Sequence, residues 1–244
     1  MFRDCIQGTY IGGNRNQQAA ACKRFRPEFR HLEDEYFADD FRTIERVVQY
    51  ADAWNEFCEV GLEILVNSGS LHYSRGGIKY LVEPLIRYFE KFTSNIGWIG
   101  DTDDGDVRVM EAFSHFSYHQ SGGQLLVCDL QGRYKYNRFN RSKSRFELTD
   151  PAICSRRRSY GLTDMGEKGI DMFFYNHTCN EYCEDHWQRP RHVRAWFTAT
   201  SSGTSMMSSQ MSHKLRLNNP TTFGLSANNT IVEEDSYDSD DSYY

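Results

Sequence analysis

No apolar run in this 244-residue chain approaches the roughly 20 residues needed to cross a bilayer. The stretch Val60 to Val66 is among the longest, and Glu63 interrupts it. No membrane partner is therefore expected. The amino terminus, MFRDCIQGTY, lacks the apolar core of a secretory signal, so the expected compartment is reducing and cytoplasmic. Seven cysteines, an odd number, then read as free thiols or metal ligands rather than disulfides. Surplus positive charge is missing as well. Against 34 acidic residues stand 28 basic ones, and the whole imbalance of -6 lies in Glu233, Glu234, Asp235, Asp238, Asp240 and Asp241 at the carboxyl end. The rest of the chain is neutral overall, which excludes a nonspecific nucleic-acid binder, since phosphates must be neutralised by Lys and Arg. The Walker pattern, the dinucleotide glycine fingerprint, an HRD run with its downstream Asn and a DFG triplet are all absent.

What is present suffices for a core: 39% hydrophobic residues with 14% aromatics fit one large domain or a two-lobed unit. Residues 8 to 26, GTYIGGNRNQQAAACKRFR, read as a glycine-rich hairpin followed by a strand that carries Lys23. From Phe37 to Cys58 apolar residues recur every three or four positions, predicting a long amphipathic helix. IKYLVEPLI, residues 78 to 86, reads as a buried strand, and Glu83 inside it needs a reason. A second helix is predicted over 107 to 120 with Gly122-Gly123 as its terminator, followed by the strand QLLVCDL. Asp164 and Glu167 suggest a capped third helix that continues through the cysteines. Nine of the fifteen residues from Thr198 to Ser212 are Ser or Thr. Residues 1 to 195 are thus read as the folded domain and 196 to 244 as a disordered, Ser/Thr-rich and acidic tail. Strands and helices mix without strict alternation, which favours α+β over a doubly wound sheet.

Three constellations carry chemistry. In HTCNEYC, His177, Cys179 and Cys183 have the residue types and spacing of zinc ligands, with Cys179 and Cys183 on one face if the segment is helical. His186 competes as a ligand, and His115 is either a further ligand or a hydrogen-bonded core histidine. In VCDLQG and FELTDP, Asp129, Gln131 and Asp150 offer hard oxygens suited to Mg²⁺ and phosphate, although Asp129 and Asp150 also suit turn caps. Lys23, on a strand after a glycine-rich hairpin, is either a surface lysine or a holder of nucleotide phosphates.

The blocks MEAFSHFSYHQSGGQLLVCDLQG, LTDPAICS, YGLTDMGEKGI and FFYNHTCNEYC, in this order, closely resemble the signatures of the alpha-kinase family of atypical serine/threonine protein kinases. Upstream, GTYIGGNRNQQAAACKRF, EYFADDF and YLVEPLIRYFEKFTSNIGW extend the resemblance over roughly residues 5 to 187. It implies a two-lobed, protein-kinase-like α+β fold with ATP between the lobes and a structural Zn²⁺ in the carboxyl-terminal lobe. Residue by residue, it implies that Lys23 contacts the ATP phosphates and that backbone groups from Glu83 to Leu85 meet the adenine. Lys91 and Asn95 fall among further cleft residues. Asp129 matches the catalytic aspartate, Gln131 a metal-side amide and Asp150 the Mg²⁺-binding carboxylate. His115, His177, Cys179 and Cys183 match the four zinc ligands, leaving His186 a bystander.

The resemblance therefore implies an ATP-dependent kinase acting on Ser or Thr of a protein substrate. The chain departs from the pattern in two places. Only 22 residues precede Lys23, so a minimal upper lobe is expected. The join between Asp129 and Asp150 is long and holds Arg133, Lys135, Arg138, Arg141, Lys143 and Arg145, either an attractor of acidic peptide or a solvated loop. The alternative that these departures support is a catalytically silent, zinc-stabilised interaction module. The acidic tail reads as solvent-facing charge, or as autoregulatory through the basic stretch or through autophosphorylation sites between Thr198 and Ser212.

Overall fold

The computed structural model describes residues 3–59, 61–140, 143–199 and 204, together with the backbone of 230–232. The chain divides into two compact units, one formed by Met1–Glu33, Gly69–Leu85 and Phe223–Tyr244, the other by Asp34–Ser68 and Ile86–Thr222. Among the described residues no helix is long and apolar enough to cross a membrane.

The first unit is an antiparallel sheet. Strand β1 (Arg3–Ile11) turns into β2 (Ala19–Phe25) through the expected hairpin. At its tip Gly12 and Gly13 take left-handed φ angles of 87° and 64°, where a side chain would be strained, and the Asn16 side chain accepts a hydrogen bond from the Gly12 N–H. Next come β4 (Ser70–Tyr73) and β5 (Lys79–Pro84), and the spatial order is β11-β1-β2-β5-β4. The strand β11 (Thr230–Val232) comes from the stretch read as a tail and pairs with Thr9–Ile11 of β1. The rest of that stretch beyond Ala199, Thr204 apart, lies outside the described residues. One face of the sheet buries Tyr10, Ala20, Cys22, Tyr80 and Val82. Because side chains alternate along a strand, Lys23 and Glu83 belong to the other face.

The second unit begins with α1 (Glu33–Phe57), the long helix that the apolar spacing predicts. Its buried face, Phe37, Ile44, Val47, Ala51 and Trp54, follows the three-and-four spacing. Trp54 meets Phe113 and Phe116 edge-on, with ring centroids 5.8 and 5.5 Å away, and its indole N–H donates to the Leu62 carbonyl at 3.1 Å. Those phenylalanines lie on α2 (Gly105–Gln120), capped by Asp104, whose side chain accepts from the Asp106 N–H. Gly122 and Gly123 end it, as the sequence predicts, with φ of 62° and 76°.

Two ladders follow. Strand β7 (Leu125–Cys128) pairs antiparallel with β10 (Ala152–Ser155). A four-stranded sheet runs in the order β3-β9-β8-β6, from β3 (Glu63–Val66), β6 (Glu90–Lys91), β8 (Gln131–Lys135) and β9 (Arg145–Thr149). Of the basic stretch, Arg133 and Lys135 lie on β8, Arg145 on β9, and Arg138 and Lys143 between these strands, while Arg141 lies outside the described residues. Arg133, Lys135 and Arg145 converge on Glu147 at 3.0, 2.9 and 3.5 Å. Burial pushes the Glu147 carboxyl up, but hydrogen bonds from Lys135 and Arg133 outweigh it and hold the group below its usual range.

The third helix differs from expectation at both ends. It runs over Glu167–Asn176, with Gly166 rather than Asp164 at its N-cap. Asp164 is fully buried and accepts from Ser155 N and Oγ (2.7 and 2.5 Å), Gly166 N (2.9 Å) and Tyr160 N (3.2 Å), so it organises the loop instead of capping the helix. At the other end α3 (Glu167–Asn176) stops before the cysteines. The Asn176 amide donates to the Gly97 carbonyl at 2.8 Å, and His177 turns to extended backbone. Asn180 then accepts from Tyr182 N, and its amide donates to the Arg108 carbonyl, a side-chain turn that competes successfully with helix. The helix also packs against Gly97, where an added Cβ would lie 2.5 Å from the Met172 backbone.

Replacing Trp54 by Ala should lower unfolding free energy by about 3–5 kcal/mol through lost burial and the cavity left behind. Denaturant titration of wild type and Trp54→Ala measures this, and a loss below about 1 kcal/mol would show that the aromatic cluster does not organise the unit.

Candidate functional site

In the first unit, β2 and β5 pair so that Lys23 faces Leu81 and Ala21 faces Glu83. Lys23 and Glu83 are therefore diagonal neighbours on one face, and their side chains form an ion pair. Both are buried, at 7% and 2% exposure. A buried ammonium and a buried carboxylate are tolerated only together, so Lys23 explains the charge in an otherwise apolar strand. Leu85, expected to help hold adenine, donates its N–H to the Ala19 carbonyl at 3.0 Å.

In the second unit two ladders bring the carboxylates together. Cys128 pairs with Ala152, so Asp129 and Asp150 lie just beyond the same end of the β7–β10 ladder. Gln131 pairs with Thr149, which sets Gln131 beside Asp150, and its amide reaches the Asp150 carbonyl at 3.4 Å. Lys91 pairs with Gln131 from the neighbouring strand. Asp129 and Asp150 both adopt left-handed backbone, at φ 55° and 48°, two of the five such non-glycine residues among those described. Such conformations cost about 1–2 kcal/mol each and concentrate where geometry serves function. Gly132 is required for the close approach: a Cβ there would lie 2.0 Å from the Glu147 carbonyl oxygen.

Asp129 is 1% exposed. Its Oδ1 meets the Lys91 Nζ at 2.7 Å, and its Oδ2 accepts a hydrogen bond from the Thr204 hydroxyl. Burial pushes the Asp129 carboxyl above its ordinary range and Asp150 pushes the same way; Lys91 and the Thr204 hydroxyl offset part of that rise. The Lys91 contact is absent from the sequence reading, because β6 is only two residues long and carries no periodicity. Asn95 is buried and donates to the Thr163 carbonyl at 2.8 Å, holding the loop before α3. Thr93, which the sequence reading passed over, accepts from the Leu130 N–H at 3.1 Å and straps its segment to DLQG.

The second assembly gathers His115, His177, Cys179 and Cys183, whose ligand atoms all lie within 4.8 Å of one another. His177 Nε2 is 3.3 Å from His115 Nδ1, Cys179 Sγ is 3.6 Å from His115 Nδ1, and Cys183 Sγ is 3.8 Å from His177 Nε2. A tetrahedral ion with nitrogen ligands at about 2.0–2.1 Å and sulfur ligands at about 2.3 Å has ligand-to-ligand edges of roughly 3.3–3.8 Å, so these four atoms fit one metal ion. The remote nitrogens agree. His177 Nδ1 bonds Glu111 Oε1 at 3.0 Å and His115 Nε2 bonds the Gln188 carbonyl at 3.0 Å, which turns an unprotonated nitrogen of each ring inward. Burial, with His177 beside it, holds His115 down to about 4, the neutral form a metal takes. Burial pushes the Cys183 thiol up to about 12, so a thiolate there needs a cation. Glu111 lies one helical turn before His115 on α2, a spacing from which it could have been found. His186 stands outside the cluster, its ring 5.3 Å from that of His119.

A cleft of about 730 Å³ opens elsewhere in this unit, lined among others by Arg156, Glu167, Asp171 and Arg189. None of the candidate residues lines it. Two of its arginines are engaged, Arg156 with Glu167 and the Gly123 carbonyl, Arg189 with Cys179 and the His177 carbonyl.

A sequence profile of the alpha-kinase family matches residues 1–183. Alpha-protein kinase vwkA of Dictyostelium discoideum is 27% identical over 181 residues, 73% of this chain and 26% of that protein. Eukaryotic elongation factor 2 kinase of Homo sapiens is 36% identical over 95 residues, 38% of this chain and 11% of that protein. The chain thus spans about a quarter or less of these relatives. Among solved structures, an alpha kinase from Entamoeba histolytica superposes with a TM-score of 0.60 at 23% identity, covering 84% of this chain and 80% of that one. The apoenzyme alpha-kinase domain of myosin-II heavy chain kinase A gives 0.56 at 24% identity, covering 69% and 63%. With three quarters of its length matched by the family profile and with the same fold, the chain belongs to the alpha-kinase family.

Proposed function

We propose that this chain is an ATP-dependent kinase that transfers the γ-phosphate to Ser or Thr of a protein substrate. The observation that carries this reading is the convergence of Asp129, Gln131, Asp150 and Lys91 at one end of two ladders, within an alpha-kinase domain. Solved alpha-kinase domains of myosin heavy chain kinase A in complex with ATP, ADP and AMP support nucleotide as the ligand class.

Phosphoryl transfer needs positioning and charge neutralisation more than covalent help. Asp129 orients the acceptor hydroxyl and takes its proton. Its raised pKa brings the carboxylate nearer the basicity that proton transfer requires, and Lys91 offsets part of the rise. Lys23 contributes positive charge to the ATP phosphates, and Glu83 fixes the direction of its ammonium. The backbone of Glu83 and the Leu85 carbonyl are assigned to adenine. The Asp150 carboxylate and the Gln131 amide oxygen form a hard donor set that would hold Mg²⁺, which when bound offsets phosphate charge. Asn95 acts at one remove, by holding the 160–166 loop.

The His115, His177, Cys179 and Cys183 cluster is assigned to Zn²⁺. Four protein ligands leave no open coordination position, so the ion is structural and ties α2 to the segment after α3.

With radiolabelled ATP, Mg²⁺ and a generic basic protein, wild type should transfer phosphate, and Asp129→Asn should reduce the rate about 10²–10⁴-fold while leaving the unfolding midpoint near that of wild type. An Asp129→Asn rate within threefold of wild type, or no transfer by wild type, rejects the reading. The reactive form is the carboxylate, so activity should rise with pH through the raised Asp129 pKa. Lys91→Met removes an offsetting charge and should move that acid limb to higher pH.

Metal analysis should find one zinc per chain. Cys179→Ala with Cys183→Ala should abolish both the zinc and cooperative unfolding, and Glu111→Gln should weaken zinc binding about 10–100-fold. A double cysteine variant that stays folded and active would defeat the assignment.

A further inference from the structure

Along β8, Gln131, Arg133 and Lys135 alternate with Gly132 and Tyr134, and their cross-strand partners share their side of the sheet. Lys91 stands opposite Gln131, Glu147 opposite Arg133, Arg145 opposite Lys135, and Leu65 opposite Glu147. Tyr134 belongs to the other side and packs on Phe146, ring centroids 4.9 Å apart. The first side is open: Leu65 is 43% exposed, and the Arg133, Arg145 and Lys135 side chains are 34, 40 and 51% exposed. One sheet face therefore starts at Gln131 and Lys91, where the carboxylates gather, and continues into a band of cations. Its charge is one-sided. From Arg133 to Phe146 there are six basic residues and no acid. Around Glu147, three cations against one carboxylate leave a surplus of two positive charges. Glu63, opposite Arg145, turns its carboxylate to the Gly61 N–H at 2.7 Å, and Arg138 and Lys143 are exposed in the turn beyond. Donors are also left over, since Arg145 Nε has no acceptor among the described residues. Glu147 shows what the band accepts: a carboxylate held between guanidinium and ammonium groups.

Resting on the kinase reading above, we propose that this face docks the protein substrate and selects acidic segments, with Arg133, Lys135 and Arg145 holding Asp or Glu side chains close to the acceptor Ser or Thr. A strand advances about 3.3 Å per residue, so Arg133 and Lys135 stand about 7 and 13 Å beyond Gln131, and an extended peptide advances at the same pace. Carboxylates at the second and fourth positions from the acceptor match the two rows of cations, Arg133 in the nearer and Lys135 with Arg145 in the farther. Contacts this exposed are individually weak, and they act alike on bound substrate and transition state, so the selection falls on KM and leaves kcat alone.

The test uses the full 244-residue chain, loaded with zinc, and three peptides that share a central Thr and carry Asp, Ala or Lys at the second and fourth positions on both sides of it. Binding is followed by fluorescence anisotropy of labelled peptide, and transfer by radiolabelled ATP with Mg²⁺. The Asp peptide should bind about tenfold more tightly than the Ala peptide, with a matching fall in KM and little change in kcat, and the Lys peptide should bind most weakly. Arg133→Glu with Lys135→Glu should invert this order and bind the Lys peptide better than wild type does, a gain that loss of folding cannot produce. Should that variant unfold, Arg133→Gln with Lys135→Gln decides, because it should bind the three peptides alike. Equal use of the three peptides by wild type, or an order that survives either folded variant, overturns the docking inference and leaves the kinase reading standing. Charge-ordered binding without transfer to any peptide overturns the kinase reading, and with it the assignment of this face to a substrate. An oligonucleotide of the same negative charge that binds more tightly than the Asp peptide would give the face to nucleic acid and overturn the inference as well.

Discussion

The pairing of Gln131 with Thr149 and of Cys128 with Ala152 is the constraint on which the second unit's carboxylate cluster depends. Because both ladders end at the Asp150 corner, register alone decides that two carboxylates and an amide share one neighbourhood. A one-residue slip in either ladder would reverse which side chains face that corner. The backbone conformation shows what this arrangement costs. Asp129 and Asp150 are held at positive φ, a conformation that each would leave if the ladders did not hold the chain on both sides. The close contact of Gly132 with Glu147 belongs to the same constraint, since any larger residue would push β8 from β9 at the point where Gln131 must sit.

Much of this was legible in the sequence. The spacing of Phe37, Ile44, Val47, Ala51 and Trp54 gave the long helix, and Gly122-Gly123 gave the end of α2, because periodicity and glycine punctuation are local properties. His115, His177, Cys179 and Cys183 were named as a set through the family resemblance, and the structure brings them together. The helix expected to carry the cysteines does not reach them, because Asn176 and Asn180 use their amides to satisfy neighbouring carbonyls and stop the helix before the first cysteine. Asp164 misled for a similar reason. It has the residue type and spacing of a cap, but four donors from 155, 160 and 166 claim it. The Lys91–Asp129 contact was invisible because it depends on a two-residue strand meeting another strand forty positions away.

Three buried charges follow one rule. Lys23 answers Glu83, Lys91 answers Asp129, and Glu111 answers the remote nitrogen of His177. In each case removing one member leaves the other desolvated and uncompensated, which is worse than losing both. Such pairs specify geometry more than they stabilise the fold. They fix where an ammonium, a carboxylate and an imidazole point, and the proposed chemistry needs those directions.

The Glu147 cluster has a different character. Its three cationic partners have side chains 34–51% exposed, so their attraction to the carboxylate works partly through solvent. Dissolved ions weaken such contacts, and at about 1 M salt the screening length falls to about 3 Å, comparable with the contacts themselves. The turn between β8 and β9 is held otherwise, by the Asn137 side chain accepting from the Phe139 and Asn140 N–H groups at 3.1 Å and by Asn137 N donating to Ser144 Oγ at 2.8 Å. Ionic strength therefore acts on the base of this hairpin and spares its tip. Since that base is the strand pair carrying Gln131 and Thr149, the salt content of the medium reaches the Asp150 corner through β8 without any ion entering it.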